Sequence, residues 1–268
     1  IIHQENPEVK IAFGNPEVLS QNDQGKTKFY WAEIFENNPY ILQPGENAEQ
    51  VMVISNYPKS RPFFNYAKTR YTQADDGSKV PYKFAYNPDY EVTCGELYFS
   101  DSEIAEAEKL IENFEAPIIF IDPHADNPNK HWIFERWDDV IKQSSHQFVQ
   151  LTYDEHAVPL NGAVQLNTTT FRQACAVLNA GVGRSILLTV DCDLHHAAAA
   201  LKMPAIVLWS HYSHPDNFGY NDHINIRWDP AGKPCGLRDN CIQCKTSVEM
   251  IKVRDVNLAI EMALKKIS

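Results

Sequence analysis

The stretch ILLTVDCDLHHAAAALKMPAIVLW, residues 186–209, decides the fold of this chain. It contains an apolar run, a polar turn, an alanine-rich segment and a second apolar run. Short apolar runs bounded by turn residues predict buried strands, and the alanine-rich segment between them predicts a helix. We therefore interpret the stretch as a strand, a helix and a second strand, the unit from which parallel sheets are built.

The same alternation continues on both sides of this unit. Strands are predicted at residues 117–122, 147–152, 163–167, 185–191, 204–209 and 223–228, and helices from residue 100 and at 135–143, 169–181, 193–202 and 254–266. This order predicts a parallel sheet with helices on both faces. The pattern before residue 115 is weaker, with strand candidates at 9–13 and 51–55 and a short helix near 29–35. We predict an α/β domain at 1–115 and a β/α domain at 116–268, with a cleft between them.

Composition excludes several classes of protein. The 268 residues carry 24 lysines and arginines against 35 aspartates and glutamates, so the net charge of -11 argues against a nucleic acid partner. The longest apolar runs, such as 116–121 and 205–209, are far shorter than the about 20 residues that span a bilayer, although peripheral membrane contact stays open. Six cysteines are too few for a disulfide scaffold, so we expect a reducing cytoplasm.

Lys130 is the first candidate for a phosphate contact. It follows the predicted strand at 117–122 in the segment IDPHADNPNKHWIFERW, on a loop at the carboxyl end of that strand. Ligands of parallel sheets bind beyond the carboxyl ends of the strands, and a lysine there can neutralise a diphosphate. A solvated surface lysine is the plainer interpretation.

The start of the alanine-rich helix is the second candidate. Its turn at Asp191 and Asp193 offers backbone N–H groups and the positive end of the helix dipole to phosphate oxygens. Either aspartate could instead cap the helix. His195 and His196 cannot both face the sheet, so one is expected at the cleft. An aromatic-rich loop at 211–223 could stack a base or sugar there, or merely cover the cleft.

Three cysteines form a C-x5-C-x2-C pattern after the last predicted strand: Cys235, Cys241 and Cys244. Three thiolates this close in sequence suggest a structural iron or zinc ion. Its fourth ligand could be Cys94 or His214. Reduced thiols in a tight loop are the alternative interpretation.

Four segments, in this order, resemble glycosyltransferase family 9 of the ADP-heptose:lipopolysaccharide heptosyltransferase type. They are IIFIDPHADNPNKHW (118–132), TTFRQACAVLNAGVGRSILLTVD (169–191), DCDLHHAAAALKMPAIVLW (191–209) and CGLRDNCIQCKTSVEMIKVRDVNLAI (235–260). The third resembles the D-x-G-x-x-H-x-A-A-A-L-x-x-P block of the family, and ENPEVKIAF (5–13) is similar to the entry into its second strand. The resemblance implies an α/β GT-B fold, with two Rossmann-like domains whose parallel sheets face a central cleft.

The resemblance also implies a nucleotide-sugar donor, such as ADP-heptose, and inverting transfer without metal at the chemical step. The implied donor contacts are Lys130 at the diphosphate, Asp191 at the sugar hydroxyls, Cys192, Asp193 and His196 around phosphate, and Thr152 and Glu155 at the nucleoside. Lys130, Asp191 and His196 are the implied catalytic residues.

Two departures from the family pattern bear on function. Asp193 stands where the family usually has glycine, and its carboxylate would repel phosphate unless it turns toward a sugar. The family's general base aligns upstream of Ile1. We expect that a leader has been removed, that the chain starts inside a longer protein, or that it is a divergent member whose base is missing or relocated. Two hypotheses follow. The chain transfers a sugar, such as heptose, to a glycan or protein acceptor, or it is a non-catalytic GT-B relative that binds partners or assembles into an oligomer.

Overall fold

The computed structural model describes residues 7–13, 34–43, 45–54, 92–153, 157–228, 234–237 and 239–267. The strands in this part are β1 (Lys10–Phe13), β2 (Val51–Ile54), β3 (Ile118–Asp122), β4 (Gln147–Thr152), β5 (Val164–Asn167), β6 (Ser185–Val190), β7 (Ala205–Trp209) and β8 (Ile224–Arg227). The helices are α1 (Asp101–Ile111), α2 (Phe134–Gln143), α3 (Phe171–Ala180), α4 (Asp193–Ala200), α5 (Pro215–Phe218), α6 (Ile242–Met250) and α7 (Val253–Leu264).

Six strands form the main sheet, in the order β5-β4-β3-β6-β7-β8, and every neighbouring pair is parallel. All residues of β3, β6 and β7 are buried, as expected for central strands covered by helices on both faces. Counted from β3, the order is 3-2-1-4-5-6, which is the Rossmann type. The strand order reverses between β3 and β6, so a crevice opens beyond their carboxyl ends.

Local sequence explains how the helices begin and pack. Helix α1 starts with a capping box, because Ser100 accepts a hydrogen bond from the Glu103 N–H and the Glu103 carboxylate accepts one from the Ser100 N–H. In α4 three of the buried residues, Ala197, Ala198 and Ala199, are small, which lets the helix approach β6 and β7 closely. In the described part of the chain, every helix is too short or too polar to cross a bilayer.

The two strands before residue 92 form a separate parallel pair. In it, Lys10 of β1 is opposite Val51 of β2. The nearby segment at 34–43 contacts the main body, where the Asn37 amide donates to the Glu103 carboxylate at 3.1 Å. The predicted division at residues 115–116 stays a prediction.

The predicted alternation of strands and helices is confirmed from residue 101 onward, with small shifts at the ends of elements. The short helix predicted at 29–35 falls almost entirely outside the described residues. The tight loop of the alternative interpretation is not found, because Cys241 is the N-cap residue of helix α6 and Cys244 lies in the first turn of that helix. The mixed sequence IQCKTSVEM has no apolar stripe that would have predicted a helix. The choice between reduced thiols and a metal site stays a prediction.

Candidate active site

The loops that follow β3 and β6 meet at the crevice of the sheet. The Lys130 ammonium group lies 2.9 Å from a carboxylate oxygen of Asp191, so the two candidate phosphate segments converge on one place. Both residues line a cleft of about 1350 Å³. A short 3-10 turn at Pro128–Lys130 carries the lysine, and the Asn127 side chain starts this turn by accepting from the Asn129 N–H at 2.9 Å.

Lys130 is held as a cation. Burial opposes its charge, but the attraction of Asp191 outweighs burial, and the pKa of Lys130 is raised. Its ammonium group also lies 5.1 Å from the ring centre of Tyr212, a favourable position for a cation over an aromatic face. The side chain of Lys130 keeps 22% exposure, so a ligand in the cleft can reach it.

Asp191 is held as an anion. Its carboxylate is buried, which favours the neutral form, but Lys130 and the hydrogen bond donated by the Ser213 hydroxyl lower its pKa. A buried carboxylate that lost its cation or its hydrogen-bond donor would destabilise the fold. Ser213 belongs to the aromatic-rich loop but was not predicted as a site residue, because nothing in the sequence links one serine to an aspartate in another loop.

The start of α4 is capped from within its own turn. The Cys192 N–H donates to Nδ1 of His195 at 3.1 Å, and Nε2 of His195 lies 3.1 Å from the Phe218 carbonyl oxygen. Neither Asp191 nor Asp193 is the N-cap residue, so the capping alternative is wrong. The N-terminal end of this helix faces the cleft.

These hydrogen bonds define the state of His195. Its Nδ1 must be the acceptor and its Nε2 must carry the proton, because a backbone N–H only donates and a carbonyl oxygen only accepts. Burial lowers the pKa of His195 to about 3, so the ring is neutral. Ligand atoms of Asp191, His195 and His196 lie within 4.8 Å of one another, but both nitrogens of His195 are engaged and the trio does not fit a metal ion.

Of the pair His195 and His196, it is His196 that lines the cleft. Burial lowers its pKa, and its Nδ1 lies 2.8 Å from the Tyr220 hydroxyl. Asp193, at the first position of α4, also lines the cleft, where part of its side chain is exposed to solvent. The protein atoms packed around its carboxyl group and the nearby charge of Asp126 raise the pKa of Asp193.

The predicted nucleoside region is only partly described. Thr152 hydrogen bonds to β5, where its hydroxyl donates to the Leu166 carbonyl oxygen at 3.3 Å, and it does not line the cleft. Its neighbour Tyr153 does line the cleft, together with Phe171, whose ring centre lies 5.7 Å away. Glu155 lies outside the described residues.

The three predicted metal ligands come together. The sulfurs of Cys235, Cys241 and Cys244 lie within 4.8 Å of one another. A contact of 3.0 Å between the Cys235 and Cys244 sulfurs lowers the pKa of Cys235 to about 6 and raises that of Cys244. An easily formed thiolate beside two further sulfurs fits iron or zinc. Among the described residues, neither Cys94 nor His214 joins this group.

Asn129 connects the cysteine segment to the Lys130 turn. The buried Asn129 amide donates to the carbonyl oxygens of Leu237 and Asp239 at 2.8 and 2.7 Å. Its side-chain oxygen accepts from the Cys241 N–H at 2.9 Å. Because Asn129 precedes Lys130 in the chain, these hydrogen bonds couple the conformation of the cysteine segment to the position of Lys130.

A parallel sheet with the Rossmann strand order, with a lysine and a helix N-terminus at its switch point, places this chain in the class of Rossmann-like α/β proteins. Within that class, residues 82–245 match glycosyltransferase family 9 (heptosyltransferase), and the chain belongs to this family. No protein of curated function matches the sequence.

Several solved structures have a fold similar to that of this chain. The iron-containing dodecameric glycosyltransferase TibC from enterotoxigenic E. coli H10407 is 13% identical, with a TM-score of 0.56, over 97% of this chain and 77% of that one. It is also solved in complex with ADP-D-beta-D-heptose. A family 9 glycosyl transferase from Veillonella parvula is 15% identical, with a TM-score of 0.52, over 82% of this chain and 68% of that one. These likenesses confirm the predicted α/β fold of GT-B type.

The ADP-heptose LPS heptosyltransferase II of E. coli is 21% identical, with a TM-score of 0.49, over 64% of this chain. The matched part of this chain spans 54% of the length of that protein.

Proposed function

We propose that this chain binds a nucleoside diphosphate sugar, of the ADP-heptose kind, and transfers the sugar to a glycan or protein acceptor with inversion. One observation carries the proposal: Lys130 and the start of α4 converge on one cleft at the switch point of the sheet. Membership of family 9 supports it. The six free cysteines are compatible with a cytoplasmic location.

The proposed chemistry uses fixed positive charge. Breaking the bond from the anomeric carbon to the diphosphate builds negative charge on the leaving group, and Lys130 with the helix N–H groups stabilises that charge without a metal ion. His196 donates a further hydrogen bond to phosphate beside the turn of Cys192 and Asp193. Asp191 accepts hydrogen bonds from donor sugar hydroxyls. The nucleoside lies beside the end of β4, the segment of Thr152 and Glu155, where Tyr153 lines the cleft.

The experiment is a titration of the purified chain with ADP, UDP and AMP, followed by an assay for release of nucleoside diphosphate from ADP- and UDP-sugars with candidate acceptors. Binding of a diphosphate about tenfold tighter than AMP, and release that depends on acceptor, support transfer. Diphosphate binding without release favours the non-catalytic relative. Asp193 favours this second function, because its carboxylate lies in the cleft at the helix start.

We also propose that Cys235, Cys241 and Cys244 hold a structural iron or zinc ion. The ion would fix the cysteine segment and, through Asn129, the turn that carries Lys130. Metal analysis of the purified protein tests this, with Cys241→Ser as the variant and Cys94→Ser, which is exposed and outside the group, as the matched control. Metal retained by Cys241→Ser would contradict the proposal.

A further inference from the structure

The contact between Tyr220 and His196 joins a loop to the cleft. The Tyr220 hydroxyl lies 2.8 Å from Nδ1 of His196, and both side chains line the cleft. The two residues belong to different parts of the fold, since His196 lies in α4 and Tyr220 lies between α5 and β8. Among the described residues, Nε2 of His196 makes no hydrogen bond.

Tyr220 is itself anchored to the sheet. Its carbonyl oxygen accepts from the His223 N–H and from the Asn225 amide, both at 3.1 Å. The Asn225 side-chain oxygen in turn accepts from Nε1 of Trp209, a fully buried residue of β7, at 2.8 Å. These hydrogen bonds therefore fix the Tyr220 backbone to the buried sheet, although Tyr220 lies in a loop.

The neighbouring ring restrains His196 on its other side. The centres of the His195 and His196 rings lie 3.8 Å apart with an angle of 39° between the planes. His195 is fixed by its two backbone hydrogen bonds. Because the pKa of His196 is lowered, its ring is neutral near pH 7 and carries one proton, so the contact at Nδ1 decides which nitrogen bears it.

We propose that Tyr220 is a positioning residue, whose hydroxyl donates a hydrogen bond to Nδ1 of His196 and so fixes the tautomer whose Nε2–H faces the diphosphate of the donor. This inference rests on the proposed function. The Nε2–H group is then already oriented before the ligand arrives, and it donates a hydrogen bond to a phosphate oxygen. This orientation reduces the free-energy cost of binding.

The tautomer can be measured without any ligand. The imidazole nitrogen shifts of ¹⁵N-labelled protein, with His196→Asn to assign the signals, are expected to show a proton on Nε2 of His196. Tyr220→Phe should shift this ring toward a mixture of tautomers, whereas Tyr212→Phe, which removes a hydroxyl from the same loop, should not. A proton on Nδ1 of His196 in the unmodified protein would overturn the proposal.

A double-mutant cycle tests the effect on binding. His196→Gln places an amide donor near the position of Nε2 and needs no tyrosine to orient it. Tyr220→Phe should weaken binding of ADP or UDP about three- to tenfold in the unmodified protein and less than about twofold in His196→Gln. Equal losses in both backgrounds would mean a direct or purely structural role for Tyr220, and no loss in either would mean no role; both results overturn the proposal.

Failure of the proposed function gives a different result. The unmodified protein then binds neither ADP nor UDP, which also overturns the diphosphate part of this inference, while the ligand-free spectra still report whether Tyr220 sets the tautomer.

Discussion

The ammonium group of Lys130 and the carboxylate of Asp191 are 2.9 Å apart, at the point where the loops after β3 and β6 meet. This ion pair gives the cleft a cation whose position is fixed before any ligand binds. Under the proposed function, an incoming diphosphate competes with an internal carboxylate for the same lysine. Affinity at this site is therefore a difference between two strong interactions.

The first prediction concerns Lys130. Lys130→Ala should weaken ADP binding by about 1.5 kcal/mol or more, the scale of a charge-assisted hydrogen bond, and should change AMP binding much less. Isothermal titration with both nucleotides measures the difference. Lys130→Ala leaves Asp191 as a buried charge without its cation, which could unfold the protein. The double variant Lys130→Ala, Asp191→Asn removes both charges and serves as the folded reference. Equal losses for ADP and AMP would remove Lys130 from the diphosphate site.

The second prediction concerns Asp193. Its carboxylate lies at the first position of α4, where the proposal puts phosphate, so Asp193→Asn should tighten ADP binding several-fold at low salt. The asparagine keeps the size of the side chain and a polar group at the helix start. Titration at two salt concentrations separates charge repulsion, which salt screens, from a change of shape. Weaker binding by Asp193→Asn would mean that Asp193 contacts the ligand favourably.

Sequence patterns predicted the sheet and missed most of the side-chain partners in the cleft. The alternation of apolar runs and helices is a local property, so β3 to β8 and the loops at Lys130 and Asp191 could be predicted. The contact of Tyr220 with His196 depends on how two distant segments pack, and a single sequence carries no signal for it. Helix α6 was missed because its sequence lacks a clear apolar face.

The third prediction concerns Asp122, at the carboxyl end of β3. It accepts hydrogen bonds from the His124 N–H at 3.0 Å and the Tyr153 hydroxyl at 3.3 Å, yet burial raises its pKa to about 6. The folded protein thus holds this proton more tightly than the unfolded chain does. Its contribution to stability is full below about pH 4 and is lost as the pH rises through 6.

Asp122→Asn removes this titration while keeping the shape of the side chain. The free energy of unfolding of Asp122→Asn, relative to the unmodified protein, should rise by about 2.4 kcal/mol between pH 4 and pH 7.5. Urea unfolding at a series of pH values measures it, with the exposed Asp101→Asn as the control. A difference that stays constant with pH would show that Asp122 does not titrate in this range.

The fourth prediction concerns the ion pair of Arg172 and Glu103, which joins α3 to the start of α1. The buried guanidinium group donates to both oxygens of Glu103 and to the Tyr98 carbonyl oxygen, the last at 2.7 Å. Burial favours protonation of Glu103, but the hydrogen bonds from Arg172 and Ser100 lower its pKa to about 2. The carboxylate therefore stabilises the fold above about pH 4.5, and this stabilisation is lost as the pH falls toward 2.

Removing one partner of the ion pair should lower the free energy of unfolding more than removing the charges of both partners. Arg172→Met should lower the free energy of unfolding by about 3 kcal/mol at pH 7, because Glu103 stays as a partly buried charge without its cation. Adding Glu103→Gln should recover part of this loss, since glutamine keeps the capping box of α1 but carries no charge. Urea unfolding of the two single variants and the double variant measures the coupling. If the losses of the single variants simply add, the two side chains stabilise the fold independently and the ion pair does not join α1 to α3.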